Sequence, residues 1–403
     1  MSRILIVAMN YSPELTGCGF YTGDMGATLS EKRHDIEVIT TPAHYPGWSV
    51  QKPHRNRYSI DKDNFINIFR CPLLLRKKMG GIWRLLAPLS YSFFAAPVIL
   101  WRCIAFKPDV VLVVEPTLFS APAAILGAAA AKARTVLHVQ DLEIDAAFAV
   151  GHLKSGKVAH RLGFLYERFC LAKFDHIVSI SEKMSESIRN KGVSQERISV
   201  VRNWVDINHI NPILNSQDYR ESFGIPPGAF VALYSGNIGR KQGLKSIVDS
   251  AIRLKTNERL VLVIAGEGPE KEKLQEQAQG HSNIKFVPFQ PYEKLSEFLG
   301  MCDLHILSQQ KGIADLVLPS KLGGMLASGK PILVTAERKT ELDIFLKSSA
   351  TIVEPEDVDA ICGAIERHMQ NSEPEESQLS RLELAKILSK EAALNKLENI
   401  LVG

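Results

Sequence analysis

The chain has 403 residues, of which 45% are hydrophobic and 23% charged, and its formal net charge is +4. Those values describe a folded chain of about two domains. They exclude a disordered polymer and a protein that binds nucleic acid through bulk positive charge.

The first apolar run is residues 4–8 (ILIVA). The opening MSRILIVAMN lacks the long apolar core of a secretory leader and reads as a buried strand. Further strand-length runs follow at 36–40 (IEVIT), 109–114 (DVVLVV), 135–139 (TVLHV), 176–180 (HIVSI) and 198–201 (ISVV). Continuous β-branched runs suit strands covered on both faces of a parallel sheet. Helical patterns at 23–32, 121–132, 158–172 and 181–191 alternate with them, which predicts a doubly wound α/β domain. Residues 85–101 (LLAPLSYSFFAAPVILW) carry no charge. The stretch is slightly short for a membrane span and holds Pro88 and Pro97, so it reads as a buried or membrane-touching helix. Six cysteines, at 18, 71, 103, 170, 302 and 362, are scattered without a CxxC pair. They read as reduced core thiols rather than a disulfide framework or a zinc site.

The pattern then restarts. Strands are predicted at 230–235 (FVALYS), 260–265 (LVLVIA), 284–288 (IKFVP), 304–308 (LHILS) and 331–335 (PILVT), with helices at 243–254, 269–278, 292–300, 319–328 and 357–370. This is a second α/β domain. The stretch 208–227, rich in Pro and Asn, reads as the join. The expected division is 1–207, 208–380 and a C-terminal helix, 381–403, that can return to the first domain.

Ligands of open α/β sheets bind beyond the carboxyl ends of the strands. After the first strand, Gly17 and Gly19 lie in a loop that opens a helix, a geometry that lets backbone N–H groups approach an anion. After strand 230–235 come Gly236, Asn237, Arg240 and Lys241, where glycine backbone and two cations suit a phosphate. Gly266 and Gly268 form a tight turn after the next strand. Pro319 and Ser320 open a helix with Lys321 and Leu322 in its first turn. A cation there opposes the helix dipole unless an anion is present. A pyrophosphate site of this kind requires Lys241 and Lys321 to share one hollow. In the first half, His138 and Asp141 follow a strand, and His138 could bond a sugar or relay a proton. Cys, His and Asp show no metal-ligand spacing, and neither a P-loop nor a GxSxG elbow occurs.

Together these segments are specific. NYSPELTGCGFYTGDM, TPAHYPGW, EPTLFSAP and LHVQDLEIDAA in the first half join VVRNWVD, YSGNIGRKQGL, AGEGP and DLVLPSKLGGMLASGKPIL in the second. Over nearly its whole length the chain resembles retaining GT-B glycosyltransferases of family four, most of all the colanic acid biosynthesis glycosyltransferases of bacterial exopolysaccharide operons. The resemblance implies two Rossmann-like domains facing across a cleft. It implies that Gly17 and Gly19 face a donor diphosphate, and that Asn237, Arg240, Lys241, Ser320, Lys321 and Leu322 bind it. Gly266 and Gly268 would shape the base pocket, with His138 and Asp141 near the sugar. Catalysis would fall to His138, Asp141, Arg240 and Lys241, without a metal or other cofactor, and the leaving phosphate itself would accept the proton. In one respect the chain departs from the family: a Glu pair with seven residues between its members is replaced by Leu316 and Gly324.

The implied reaction moves a hexose or deoxyhexose from a GDP- or UDP-sugar to a lipid-linked glycan. Residues 52–107 carry Arg55, Arg57, Arg76, Lys77, Lys78, Arg84, Arg102 and Lys107 among Trp83, Phe93, Phe94 and Trp101. That mixture favours an anionic membrane surface, so the expected location is the cytoplasm, peripheral on the inner face of the membrane, with no nucleic-acid partner. A nucleotide-sugar epimerase of the same fold and a non-catalytic sugar-nucleotide-binding partner in a polysaccharide assembly complex stay open as alternatives.

Overall fold

The structure is a computed structural model. It describes residues 1–14, 17–45, 47–76, 83–142, 157–210, 212, 217–312 and 318–403. The chain divides into two compact units, Met1–Val201 with Leu394–Gly403, and Arg202–Ala393.

The first unit is an eight-stranded sheet in the order β3-β4-β2-β1-β5-β6-β7-β8. Its strands are β1 (Arg3–Ala8), β2 (Asp35–Thr40), β3 (Ser59–Asp63), β4 (Ile66–Arg70), β5 (Val110–Glu115), β6 (Arg134–Val139), β7 (His176–Ser179) and β8 (Ile198–Val200). All neighbours run parallel except β3 against β4. The central strands are aliphatic throughout because both faces are covered; β5, VVLVVE, is buried at every position. The described helices are α1 (Cys18–Glu31), α2 (Trp83–Phe106), α3 (Ala121–Ala131), α4 (Lys157–Lys173) and α5 (Glu182–Asn190). Ser181 caps α5, its hydroxyl accepting from Met184 N at 3.0 Å. The β3–β4 hairpin lies inside the 52–107 segment, where the charges of the edge strand β3 and the shortness of both strands hid them from pattern reading. The helix read at 85–101 is α2, which is longer at its C-terminal end and contains both prolines.

The second unit is a six-stranded, all-parallel sheet in the order β11-β10-β9-β12-β13-β14. Its strands are β9 (Phe230–Ser235), β10 (Leu260–Ala265), β11 (Ile284–Val287), β12 (Leu304–Ser308), β13 (Ile332–Thr335) and β14 (Thr351–Val353). The helices are α6 (Gln217–Ser222), α7 (Leu244–Arg253), α8 (Lys271–Gln277), α9 (Leu295–Gly300), α10 (Lys321–Ala327), α11 (Glu341–Leu346), α12 (Val358–Gln370), α13 (Glu375–Ile387) and α14 (Lys390–Val402). The two-residue period of a strand separates two cores. Val231, Leu233 and Val263 join Leu322 and Met325 of α10. Ala232, Tyr234 and Leu262 join Ile247 of α7 and Ile361 of α12.

Three expectations change. The contact division falls between Val201 and Arg202 rather than at 207/208. The described part of the expected join is not a bare linker: Tyr219 and Phe223 pack on the core that holds Leu322 and Met325, and Arg220 bonds Asp303 at 2.9 Å. The tail is also two helices rather than one. It breaks where Val205 N donates to Leu388 O at 2.8 Å and Lys390 N to Val205 O at 2.9 Å.

Candidate functional site

In the second unit, the turns after β9 and β10 interlock. Gly236 N donates to Ala265 O at 2.9 Å, Ile238 N to Glu267 O at 2.8 Å and Glu270 N to Ile238 O at 3.1 Å. The chains approach so closely that a Cβ on Gly266 would lie 1.9 Å from Gly236 O, and one on Gly268 would lie 2.3 Å from Ile238 O. Both residues also have positive φ, at 151° and 158°, so only glycine fits this lattice. Tyr234, the last aromatic of β9, fixes the turn from below, its hydroxyl donating to Asn237 O at 2.6 Å.

Lys321 closes the group. Its Nζ sits 3.8 Å from the centre of the Tyr234 ring and against Gly236, whose ideal Cβ would be 3.4 Å away. The residue is partly exposed through its stem, yet the ammonium itself is shielded from solvent and has no hydrogen-bond partner among the described residues. Desolvation pushes its pKa down to about 7. A buried amine with no acceptor is costly unless a ligand supplies one. Ser320 is the exposed residue before α10 and its side chain makes no cap bond, while Leu322 points into the core.

Arg240 and Lys241 occupy a short 3₁₀ turn, and both are exposed. Arg240 lines a hollow of about 420 Å³ with Gly239, Lys245 and Lys273. Neither Lys241 nor Lys321 is part of its lining. The structure therefore gathers Gly236, Asn237, Gly266, Gly268 and Lys321; Lys241 is exposed, and none of the hollows described among these residues is lined by both lysines. Gly324 lies in the core, where a Cβ would meet Leu299 Cδ1 at 3.1 Å. A carboxylate at that position would enter an apolar interior, a physical reason for its absence. Leu316 lies outside the described residues.

In the first unit, Gly17 precedes α1 with φ 62° and ψ −145°, and the first turn of α1 contains no acid. The helix begins five residues before the expected start at 23, which places its free N–H groups beside the glycine loop. Glu14 pins that loop. Its carboxylate accepts from His44 N and Tyr45 N at 2.9 Å and from Asn10 Nδ2 at 2.7 Å, and a Cβ on Gly19 would clash with Glu14 Cβ at 2.7 Å and Oε2 at 2.8 Å. His138 is fully buried, Nδ1 has no partner, and desolvation lowers its pKa to about 4. It is a neutral imidazole at pH 7, in contact with Gln140 at 3.3 Å. Asp141 is exposed nearby. Burial, then the Asp141 carboxylate, push the Cys18 thiol up to about 12, so it is no nucleophile at neutral pH. All six cysteines are free thiols. Among the described residues, no group of three His, Cys, Asp or Glu side chains is placed to hold a metal.

Sequence reasoning missed Glu14 and Tyr234. Glu14 has a signal, a carboxylate within a Pro-and-Gly loop directly after a strand. Tyr234 has a weaker one, a hydroxyl-bearing residue near the end of an otherwise aliphatic strand.

These two parallel-sheet units define a two-domain α/β protein of the GT-B glycosyltransferase class. Two family models cover it: "Glycosyl transferase 4-like domain" matches residues 16–204 and "Glycosyl transferases group 1" matches 215–383. WcaI of Escherichia coli K12, a protein named as a colanic acid biosynthesis glycosyl transferase, is 37% identical over the full length of both chains. The chain belongs to this glycosyl transferase family and is an enzyme of that class. Among solved structures, sucrose-phosphate synthase from Thermosynechococcus elongatus superposes with a TM-score of 0.74 at 13% identity, covering 99% of this chain and 98% of that one. HepE of Anabaena, solved with UDP, gives 0.71 at 12% identity, covering 99% of both. Those two likenesses concern the fold.

Proposed function

We propose that the chain transfers a hexose or deoxyhexose from a UDP- or GDP-sugar to a lipid-linked glycan during cell-surface polysaccharide assembly, with retention of anomeric configuration. The observation that carries this reading is the Lys321 ammonium, shielded from water and without an acceptor beside the Gly236 and Gly266 turns. A donor diphosphate supplies the missing anion. The name of WcaI supports a polysaccharide acceptor, and the UDP bound to HepE supports a nucleotide donor.

In this reading Lys321 and the backbone N–H groups of the 236–239 turn hold the diphosphate without Lys241, a smaller set than the shared hollow expected from the sequence, and the exposed Arg240 beside that turn adds charge. Negative charge grows on the leaving oxygen as the glycosidic bond breaks, so these groups stabilise the transition state more than the ground state. The anomeric carbon becomes oxocarbenium-like. The acceptor hydroxyl attacks from the same face, and its proton passes to the departing phosphate. No step is routed through a metal. A lipid-borne acceptor favours a location in the cytoplasm, at the inner face of the membrane.

A thermal-shift screen with UDP, GDP, TDP and ADP tests the donor site, because a ligand that binds only the folded chain raises its melting temperature. A shift with one or two bases names the donor class; no shift with any of the four defeats the reading. Product analysis with donor alone separates transfer from epimerisation.

A further inference from the structure

The first unit holds a concave site at the same sheet edge as the Gly17 loop. Strands β1, β2 and β4 run parallel, so the loops that leave them gather at one edge, where open α/β sheets bind ligands. Arg70, the last residue of β4, fastens those loops together. It is 4% exposed; Nη1 donates to Thr41 O at 2.8 Å, Nη2 to Ser12 O at 3.0 Å, and Nε to Asp61. Above it opens a hollow of about 760 Å³, walled by Ser12 and Pro13 after β1, by Arg55 and Arg57, and by Lys62 and Asp63 of β3.

The charge of this hollow is one-sided. Arg70 and Asp61 neutralise each other. Among the described residues the side chains of Arg55, Arg57 and Lys62, all exposed, make no ion pair or hydrogen bond, and Asp63 is the one lining acid not tied to Arg70. Burial, then the Arg70 charge, lower the pKa of His54, so its ring adds no charge at neutral pH. The two arginines sit on an anchored segment. Asn56, between them, donates from Nδ2 to Leu73 O at 2.8 Å and accepts from Leu73 N at 3.0 Å. Paired guanidinium groups on a fixed backbone suit a carboxylate or a phosphate, which each can grip through two parallel bonds.

The loop that leads into the hollow carries an aromatic pair. Gln51 closes this loop, its N donating to Ala43 O and its Nε2 to Tyr45 O, both at 2.8 Å, and His54 N donates to Gln51 O at 3.0 Å. The Trp48 ring meets Tyr45 edge-on at 5.9 Å and lies 5.8 Å from the fully buried His44. Tyr45 reaches the glycine loop: its Cε1 is 3.7 Å from where a Cβ on Gly17 would stand. Trp48 holds φ 49°, a left-handed conformation that is costly for a bulky residue and is typical of ligand clamps. Both rings are partly exposed, and an aromatic face of this kind packs against the C–H face of a pyranose.

A bare anion has no use for the aromatic faces, and a neutral sugar has none for the arginines. We propose that this region is an acceptor subsite selective for an acidic saccharide: the sugar ring lies against Tyr45 and Trp48, and its carboxylate or phosphate is held by Arg55 and Arg57. The charge that makes those two arginines conspicuous in the sequence thus serves a concave site rather than a flat rim. The role of acceptor rests on the transferase reading; the selection for an acid rests on the hollow alone.

Ligand-observed NMR on the full chain tests it. Methyl glucuronide and glucose 6-phosphate serve as acidic probes, methyl glucoside as the neutral one and inorganic phosphate as the bare anion. At least one acidic probe should bind about tenfold more tightly than methyl glucoside, the effect of one charge-assisted hydrogen bond. The tighter of the two says whether the acid is a carboxylate or a phosphate. An Arg55→Gln, Arg57→Gln variant should erase the preference, and Trp48→Ala should weaken acidic and neutral probes alike. An unchanged melting temperature confirms that each variant folds. If either misfolds, salt replaces it: an about tenfold rise in sodium chloride should weaken the acidic probe and spare methyl glucoside, and an acidic probe indifferent to salt counts against the subsite. Equal binding of acidic and neutral probes, binding of none, inorganic phosphate bound as tightly as the acidic sugars, a preference that survives in the arginine variant, or full binding by Trp48→Ala overturns the inference. Nucleoside diphosphate thermal shifts on the same samples separate the two claims. A shift without acid preference removes only this subsite. Acid preference without any shift leaves an acidic-saccharide site standing and removes the donor site.

Discussion

Lys321 Nζ lies 3.8 Å from the centre of the Tyr234 ring, and among the described residues no oxygen accepts a hydrogen bond from it. The ring face offers partial compensation of about 1–2 kcal/mol, less than the desolvation cost of the charge. That imbalance lowers the pKa to about 7 from 10.5. Between those values the unfolded chain binds the extra proton, so stability rises with pH across that window and the full penalty is present below about pH 7. Lys321→Met should therefore stabilise the ligand-free protein at pH 6 by about 1–3 kcal/mol. The gain should fade toward pH 10.5, and urea melts at pH 6 and pH 9 measure it. An equal or destabilising effect at pH 6 would show that the ammonium already has an acceptor.

A diphosphate bound beside Lys321 should restore its proton. Affinity for a nucleoside diphosphate should be flat below about pH 7. Above it, affinity should fall by up to about tenfold per pH unit until the pKa of the bound state is reached. Calorimetry in two buffers of different ionisation heat should register proton uptake near pH 8. Lys321→Met should abolish that uptake along with most of the affinity. Binding that takes up no proton would place the phosphate elsewhere.

The crossing of the two glycine turns makes a sharper steric claim. Gly266→Ala would put its Cβ 1.9 Å from Gly236 O, backbone that cannot turn aside as a side chain can. A loss of about 2–4 kcal/mol is expected, with nucleotide binding lost in whatever protein still folds. Gly280→Ala serves as the control. Its φ is also positive, at 83°, but nothing lies within 4 Å, so it should cost only about 1 kcal/mol. Similar melting temperatures for the two variants would refute the close approach.

The parts of this molecule that could be read from sequence share one physical property, continuity of pattern. β9, β10 and β12 span the residues expected of them because each is an aliphatic run ended by glycine or polar residues. β3 and β4 could not be read that way. They are five residues each: β3 (SIDKD) is a charged, largely exposed edge strand, and β4 (INIFR), mostly buried between β3 and β2, is too short to carry a clear pattern. At the site, the glycines and Lys321 stood out through local chemistry, a turn that needs glycine and a cation at a helix start. Tyr234 and Glu14 act through partners distant in sequence or through burial, which a linear pattern does not show. The break between α13 and α14 depends on Val205, nearly two hundred residues earlier, and was equally hidden.

The last ten residues test how far the chain end supports the first unit. Leu394, Leu397 and Leu401 are at most 1% exposed. Arg134 Nη1 donates to Ile400 O at 2.6 Å, and Lys32 bonds both Asn395 and Glu398. The Lys32 bond, then that from His34, hold the Glu398 carboxyl below its usual range. Burial and charge predict different costs here. Burying three leucines contributes on the order of 5 kcal/mol, a large share of the 5–15 kcal/mol typical of a domain. The partly exposed ion pair contributes about 1 kcal/mol or less. Deleting residues 394–403 should therefore unfold the first unit or lower its melting temperature severely, and Leu397→Ala alone should cost about 2–4 kcal/mol. Glu398→Gln should barely move the transition. Calorimetry with limited proteolysis separates the cases, because a destabilised first unit is cut while the second remains protected. If Glu398→Gln proved the more damaging substitution, the ion pairs rather than the leucines would be what holds the chain end.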